Sequence, residues 1–102
     1  MLILTSLAAG PQHGYGLIQD IEAFAGTRLG PGTLYGAIAR LEGRGLIEPI
    51  DAHGRRRPYQ LTARGAEALD TALDELREIV RVGTSRLGTT GAGRVVAPGS
   101  PA

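Results

Sequence analysis

GTLYGAIARLEGRGLIE, from Gly32 to Glu48, is the stretch that decides the fold. At about 100° per residue, Leu34, Ile38 and Leu41 fall on one face of a helix. Pro31 suits its first turn, where the missing N–H costs nothing and the fixed φ is already helical. Gly43 and Gly45 end it. Opposite the apolar face stand Thr33, Gly36, Ala39, Arg40 and Gly43, with Tyr35 between the faces and Arg44 at the helix exit. Gly36, Ala39 and Gly43 put almost no side chain between the backbone and a neighbouring surface. Such a face can enter a DNA major groove, leaving Thr33, Tyr35, Arg40 and Arg44 to reach bases or phosphates. The same small residues would also permit tight packing against another helix.

Two shorter helices precede this one. Leu2 to Ala8 is a brief apolar helix closed by Gly10 and Pro11. Leu17, Ile21 and Phe24 recur at helical spacing, Ile18 and Ala25 widen the stripe, and Gly26 stands where a C-cap belongs. Downstream, Leu46 to Asp51 and Arg56 to Leu61 flank a polar turn around His53 and Gly54, which predicts a hairpin. Pro49 and Pro58 each remove a ladder donor and so suit a marginal edge hairpin. Alternation along the second strand sends Arg56 outward and turns Tyr59 and Leu61 toward the core. Three helices followed by a hairpin is the order of a winged helix-turn-helix, whose third helix reads the major groove while the wing follows the phosphates.

Thr62 can cap a fourth helix in which Ala66, Leu69, Leu73, Leu76 and Val80 keep a three-four spacing, the seam of a helix that needs a partner. The reading is therefore mainly α with a small β-hairpin. It places a winged helix-turn-helix DNA-binding domain at 1–61, a C-terminal dimerisation helix at 62–87 with Leu69, Leu73, Leu76 and Val80 at the interface, and a disordered Gly/Pro/Ser/Thr-rich tail at 88–102.

Charge supports the assignment. The net charge is only +1, but residues 28–64 carry seven arginines against Glu42, Glu48 and Asp51, a local net of +4, and the remainder carries −3. Arg55, Arg56 and Arg57 repel one another at the wing tip unless an anion lies against them, and DNA phosphate is the obvious one, a solvated basic turn the plainer alternative. Cysteine is absent, which removes disulfides, thiolate nucleophiles and zinc-thiolate sites from consideration. His13 and His53 lie in turns without metal-ligand spacing, and Gly14 with Gly16 is not followed by the rest of a nucleotide-binding glycine pattern. Asp70, Asp74 and Glu78 share a helix face with Arg77 and Arg81 in pairing range, which reads as a solvated surface. No nucleophile, base and orienting group can be assembled, so an enzyme is not expected, and neither is a cofactor or a metal. No run is long enough to span a membrane and no signal peptide is evident, so a cytoplasmic protein is expected.

GPQHGYGLI from Gly10 to Ile18, the stretch from Gly32 to Glu48, and RRRPYQLTARG from Arg55 to Gly65 resemble three signature stretches of the PadR family, in the same order and at similar spacing. The resemblance implies a transcriptional regulator of the small, single-C-terminal-helix type. It further implies a homodimer that sets two recognition helices on a pseudo-palindromic operator, and a ligand-responsive repressor whose small-molecule effector enters near the subunit interface. The family's first helix usually begins several residues before the equivalent of Leu2, so either the start lies upstream or that helix makes less contact with the partner. The absence of Trp excludes the stacked-tryptophan ligand site of some multidrug-binding relatives. A winged-helix module that binds another protein and not DNA is the alternative, and the retained arginines speak against it.

Replacing Arg55, Arg56 and Arg57 with Gln should weaken duplex binding for all sequences alike. It should also flatten the salt dependence of log K by up to about 0.9 for each phosphate that is no longer neutralised. Titrations at several salt concentrations check this, and an unchanged slope would mean that the wing touches no phosphate.

Overall fold

The computed structural model describes residues 1–50 and 57–89. Helices α1 (Leu2–Leu7), α2 (Gly14–Ala25) and α3 (Pro31–Gly43) come first. Strands β1 (Ile47–Pro49) and β2 (Tyr59–Leu61) and helix α4 (Ala63–Thr89) follow. This is the mainly helical winged-helix architecture that the sequence pattern predicts. By compactness Met1–Asp70 forms one unit, and a second begins at Thr71, inside α4.

In the first unit, α1 packs on α2 and α2 on α3, with β2 against α1 and β1 against α3. Ile3, Leu4, Leu7, Leu17, Ile21, Leu34, Ile38, Ile47 and Leu69 are buried, each stabilising the unit by about 1.5–3 kcal/mol relative to exposure. The apolar stripe of α2 is narrower than its spacing predicts. Phe24 is 47% exposed, and every residue from Glu22 to Gly26 is exposed, Ala25 included. The whole last turn of α2 lies outside the core, so helical periodicity there reports a face that nothing among the described residues covers.

Local chemistry fixes the junctions. Gly26 closes α2 with φ 70°. At the end of α3 the Leu46 N–H donates to the Leu41 carbonyl at 3.0 Å and the Gly45 N–H to the Glu42 carbonyl at 2.9 Å. With Gly45 at φ 75°, this is a Schellman closure, in which a left-handed residue returns orphan carbonyls to partners. Thr62 caps α4: its Oγ1 accepts the Gly65 N–H at 2.9 Å and donates to the Gly45 carbonyl at 2.7 Å. The start of α4 is thereby tied to the turn that ends α3.

The hairpin is shorter than the sequence suggests and better supported. Its register pairs Ile47 with Leu61, Glu48 with Gln60 and Pro49 with Tyr59, and Gln60 Nε2 donates to Glu48 Oε2 at 2.9 Å. β2 is not a free edge, contrary to expectation. Gln12 forms a bridge on its other side, the Gln12 N–H donating to the Tyr59 carbonyl at 3.1 Å and the Tyr59 N–H to the Gln12 carbonyl at 2.9 Å. Tyr59 spends both backbone groups there, so the Pro49–Tyr59 pair carries no ladder bond and the missing N–H of Pro49 is no loss. Pro58 still accepts from the Ile50 N–H at 2.8 Å. Tyr59 and Leu61 are half-buried.

Helix α4 runs on through Gly88 to Thr89, two residues past the end expected at 87. One glycine costs a helix about 1 kcal/mol, too little to stop one already this long. The rest of the expected tail lies outside the described residues.

Gly65, in the first turn of α4, lies against the backbone of Leu46, the residue before β1. A methyl group there would overlap the Leu46 carbonyl oxygen and stand 2.9 Å from its carbon. Gly65→Ala should therefore destabilise the protein by about 1–3 kcal/mol through overpacking. Gly43→Ala, whose methyl group would meet nothing within 4 Å, should gain up to about 1 kcal/mol from helix propensity. Thermal melts of both variants beside the parent check the contrast.

Candidate nucleic-acid interface

Helix α3 is anchored by one side only. Leu34 and Ile38 are buried and Leu41 is half-buried, while Thr33, Tyr35, Ala39, Arg40, Gly43 and Arg44 are exposed. Gly36 departs from its expected full exposure and is half-buried. Arg40 is the reason: its Nη1 would lie 3.7 Å from a Cβ at Gly36, so the guanidinium folds back across the glycine. The small-residue strip is thus real, and its first member lies under an arginine.

The strip has two different borders. On one side Tyr35, 53% exposed, stands against the first residue of α2. A Cβ at Gly14 would overlap its hydroxyl and lie 2.8 Å from its Cζ. Gly14 therefore seats Tyr35, and the GYG that opens α2 acquires a function in placing an aromatic ring of α3. Tyr15 next to it is 65% exposed and accepts from Gln19 Nε2 at 3.2 Å. On the other side Thr33, Ala37, Arg40, Leu41 and Arg44 line a groove shared with the start of α1 and with Leu29, about 340 Å³ in volume and mostly apolar.

The cations on this unit are not equivalent. Arg28 is paired with Glu22 at 2.9 Å. Arg40, Arg44 and Arg57 have no carboxylate partner among the described residues. Of the expected wing cations, Arg57 is described and exposed; Arg55, Arg56 and His53 lie outside the described residues. On α4, Arg77 pairs with Asp74 and Arg81 with Glu78, the solvated face the spacing predicts. The bond to Arg81 holds the Glu78 carboxyl below its ordinary range and raises the Arg81 guanidinium in turn.

The four seam residues do not share one environment. Leu69 is 6% exposed and lies within the first unit, Met1–Asp70. Leu73 is half-buried, Leu76 and Val80 are 46% and 64% exposed, and Ile79, not singled out by the spacing, is 66% exposed.

Sequence reasoning missed the polar residues that hold the wing. Ser6, 1% exposed, donates to Asp20 Oδ2 at 2.5 Å. Gln12 Nε2 donates to Ser6 Oγ at 2.6 Å and to the Ser6 carbonyl at 3.2 Å. A serine between Leu4 and Leu7, both core positions of the first helix, was the available signal.

Three packed helices, a two-stranded wing and a third helix bordered by arginines with no carboxylate partner among the described residues define a winged helix-turn-helix protein. The chain belongs to the transcriptional regulator PadR-like family, a model of which matches residues 3–71. This is a family of regulators and not of enzymes. The chain is 53% identical over 70 residues to an uncharacterized 37.1 kDa protein in transposon TN4556 of Streptomyces fradiae, a match covering 69% of this chain and 20% of that protein. A transcriptional regulator of Mycobacterium tuberculosis is 39% identical over 82 residues, covering 78% of this chain and 76% of its own length. The solved structure of a PadR family transcription regulator from hypervirulent Clostridium difficile R20291 superposes with a TM-score of 0.74 at 30% identity, over 84% of this chain and 94% of that one. A transcriptional regulator from Clostridium thermocellum gives 0.72 at 28%, over 82% and 84%. No helix among the described residues is long and apolar enough to cross a membrane.

If Gly14 seats Tyr35, the two positions are coupled. Gly14→Ala should destabilise the parent by about 1–3 kcal/mol and cost at least about 0.5 kcal/mol less once Tyr35→Ala has removed the ring. A double-mutant cycle from chemical denaturation measures the difference.

Proposed function

We propose that this chain is a sequence-specific, ligand-responsive repressor that binds a pseudo-palindromic operator as a homodimer in the cytoplasm. The observation that carries the reading is on α3: a strip of small residues, Gly36, Ala39 and Gly43, with Arg40 lying over the first of them, Arg44 beside it and no carboxylate among the described residues to hold either arginine. Unpaired guanidinium groups at a surface open to close approach are suited to phosphates and to guanine edges. Thr33 and Tyr35 complete the contacts of α3, and Arg55, Arg56 and Arg57 take the neighbouring phosphates from the wing. Leu73, Leu76 and Val80, extended by Ile79, form the dimer seam, since exposed apolar side chains at this spacing favour a second helix over water. Leu69 contributes by fixing the root of that helix in the core. A dimer seated across a promoter excludes other proteins from the same DNA, which is the action of a repressor, and an effector that alters either contact relieves it.

Selection from a random duplex pool should return an inverted repeat whose half-sites lie about one helical turn, roughly 34 Å, apart. Two adjacent substitutions then separate the faces of α3. Ile38→Ala should cost about 2–5 kcal/mol of stability. Ala39→Leu should change stability by about 0.5 kcal/mol or less and still abolish selective binding, because the added side chain lifts the helix from the groove. Melting temperature and affinity are measured for both. An Ala39→Leu variant that binds like the parent removes α3 as the reading element and favours the protein-binding alternative.

A further inference from the structure

We propose that Gly14 is a positioning residue for base selection: it seats the hydroxyl end of Tyr35 on the first turn of α2, so that the apolar flank of the ring faces outward and takes the 5-methyl group of a thymine. The inference rests on the DNA-binding role of α3 proposed above. It adds to that role a base, the side chain that reads it and the residue that aims the side chain.

The backbone does not ask for glycine at position 14. Positive φ is confined to Gly10, Gly26 and Gly45 among the described glycines, and Gly14 stands in the first turn of an ordinary helix. What the position needs is the absence of a side chain. Gly14 is buried, and a Cβ there would overlap the Tyr35 hydroxyl and stand 2.8 Å from its Cζ and 3.1 Å from its Cε1. The contact therefore takes up the hydroxyl and one edge of the ring. Tyr35 is nevertheless 53% exposed, so the other ring carbons are what an incoming molecule meets. The hydroxyl makes no hydrogen bond among the described residues, and packing against Gly14 holds the ring in its place.

Chemistry selects the base. Tyr35 and Ala39 stand one turn apart on the same edge of α3, and both are exposed. With the hydroxyl turned to α2, that edge offers ring carbons and a methyl group. In the major groove guanine, adenine and cytosine present polar groups, whereas thymine adds a methyl group beside its O4. Polar atoms covered by an apolar edge would lose water without a replacement partner, and the thymine methyl group gains by the same contact. Placement decides whether the two meet, since a binding site tolerates only about 0.5 Å of displacement. To reach ordinary contact at 3.4 Å from a Cβ at position 14, Cζ would have to retreat from 2.8 Å, a shift of about 0.6 Å.

The test uses the full chain and the duplex that the parent selects from a random pool, with each thymine of the half-site replaced in turn by deoxyuridine, which lacks only the methyl group. For the parent, at least one replacement should weaken binding by about fourfold for each half-site, the worth of one buried methyl group. Tyr35→Ala should bring that ratio to about one, and Tyr35→Phe, which keeps the ring carbons, should preserve it. Gly14→Ala should lower it below about twofold. Gly14→Ala combined with Tyr35→Phe should fall between Gly14→Ala and Tyr35→Phe, because the overlapping hydroxyl is gone and Cζ is still too close. The ratio compares two duplexes on the same folded protein, so lost stability alone does not move it. Should Gly14→Ala not fold by circular dichroism, the double variant measured against Tyr35→Phe carries the test. A Gly14→Ala or double variant with the full parental ratio overturns the proposal. So does a Tyr35→Phe that loses the ratio, since the hydroxyl would then be the reader. A parent that selects a duplex and tolerates deoxyuridine at every thymine sinks this inference alone, whereas a parent that selects no duplex refutes the DNA-binding reading and the thymine contact with it.

Discussion

Gln12 exchanges both backbone polar groups with Tyr59 and sends its side chain to Ser6, which is itself bonded to Asp20. Four segments meet there: α1, the link before α2, α2 itself and the returning strand of the wing. Ser6 is almost fully inaccessible, and a buried hydroxyl left without partners costs about 1–3 kcal/mol. The polar cluster is therefore held together by the expense of leaving it. Without it a two-stranded hairpin with a proline in each arm would have little to hold it, since isolated two-stranded ribbons are marginal in water.

The rest of the first unit follows from that anchorage. With β2 fixed to Gln12, β1 is fixed by its register, and Leu46 just before β1 receives the Thr62 N–H at 3.1 Å. Thr62 in turn joins the Gly45 turn to the first turn of α4. Strand, turn and helix start are thus linked by short polar contacts at the end of α3 opposite Pro31. Helix α3 can be held this firmly at one end and along Leu34 and Ile38 while Ala39 and Gly43 on its outer strip remain exposed. A surface that must come within hydrogen-bonding distance of another molecule needs both properties.

Much of this was legible in the sequence because it depends on periodicity and on backbone chemistry. Leu34 and Ile38 repeat at helical spacing, Pro31 and Gly45 mark the ends of α3, and Thr62 has the hydroxyl that a cap needs. Phe24 misled because spacing records which residues share a face and not whether anything covers that face. Leu69 shows the converse: it keeps the rhythm of the seam and is nonetheless buried within the first unit. Gln12 could not have been found from spacing at all, since one residue bridging to a strand far along the chain leaves no local pattern. Gly14 was visible as part of a motif, but only the position of Tyr35 explains why a side chain cannot stand there.

The cations beside the strip of α3 are guanidinium groups, and every basic side chain in the sequence apart from two histidines is arginine. Arginine keeps its proton at any pH a cell reaches and offers no amine for acetylation. A lysine at position 40 or 44 could have its charge erased by a single acyl group. Here the charge is carried by guanidinium groups, so the acylation state of the cell cannot erase it.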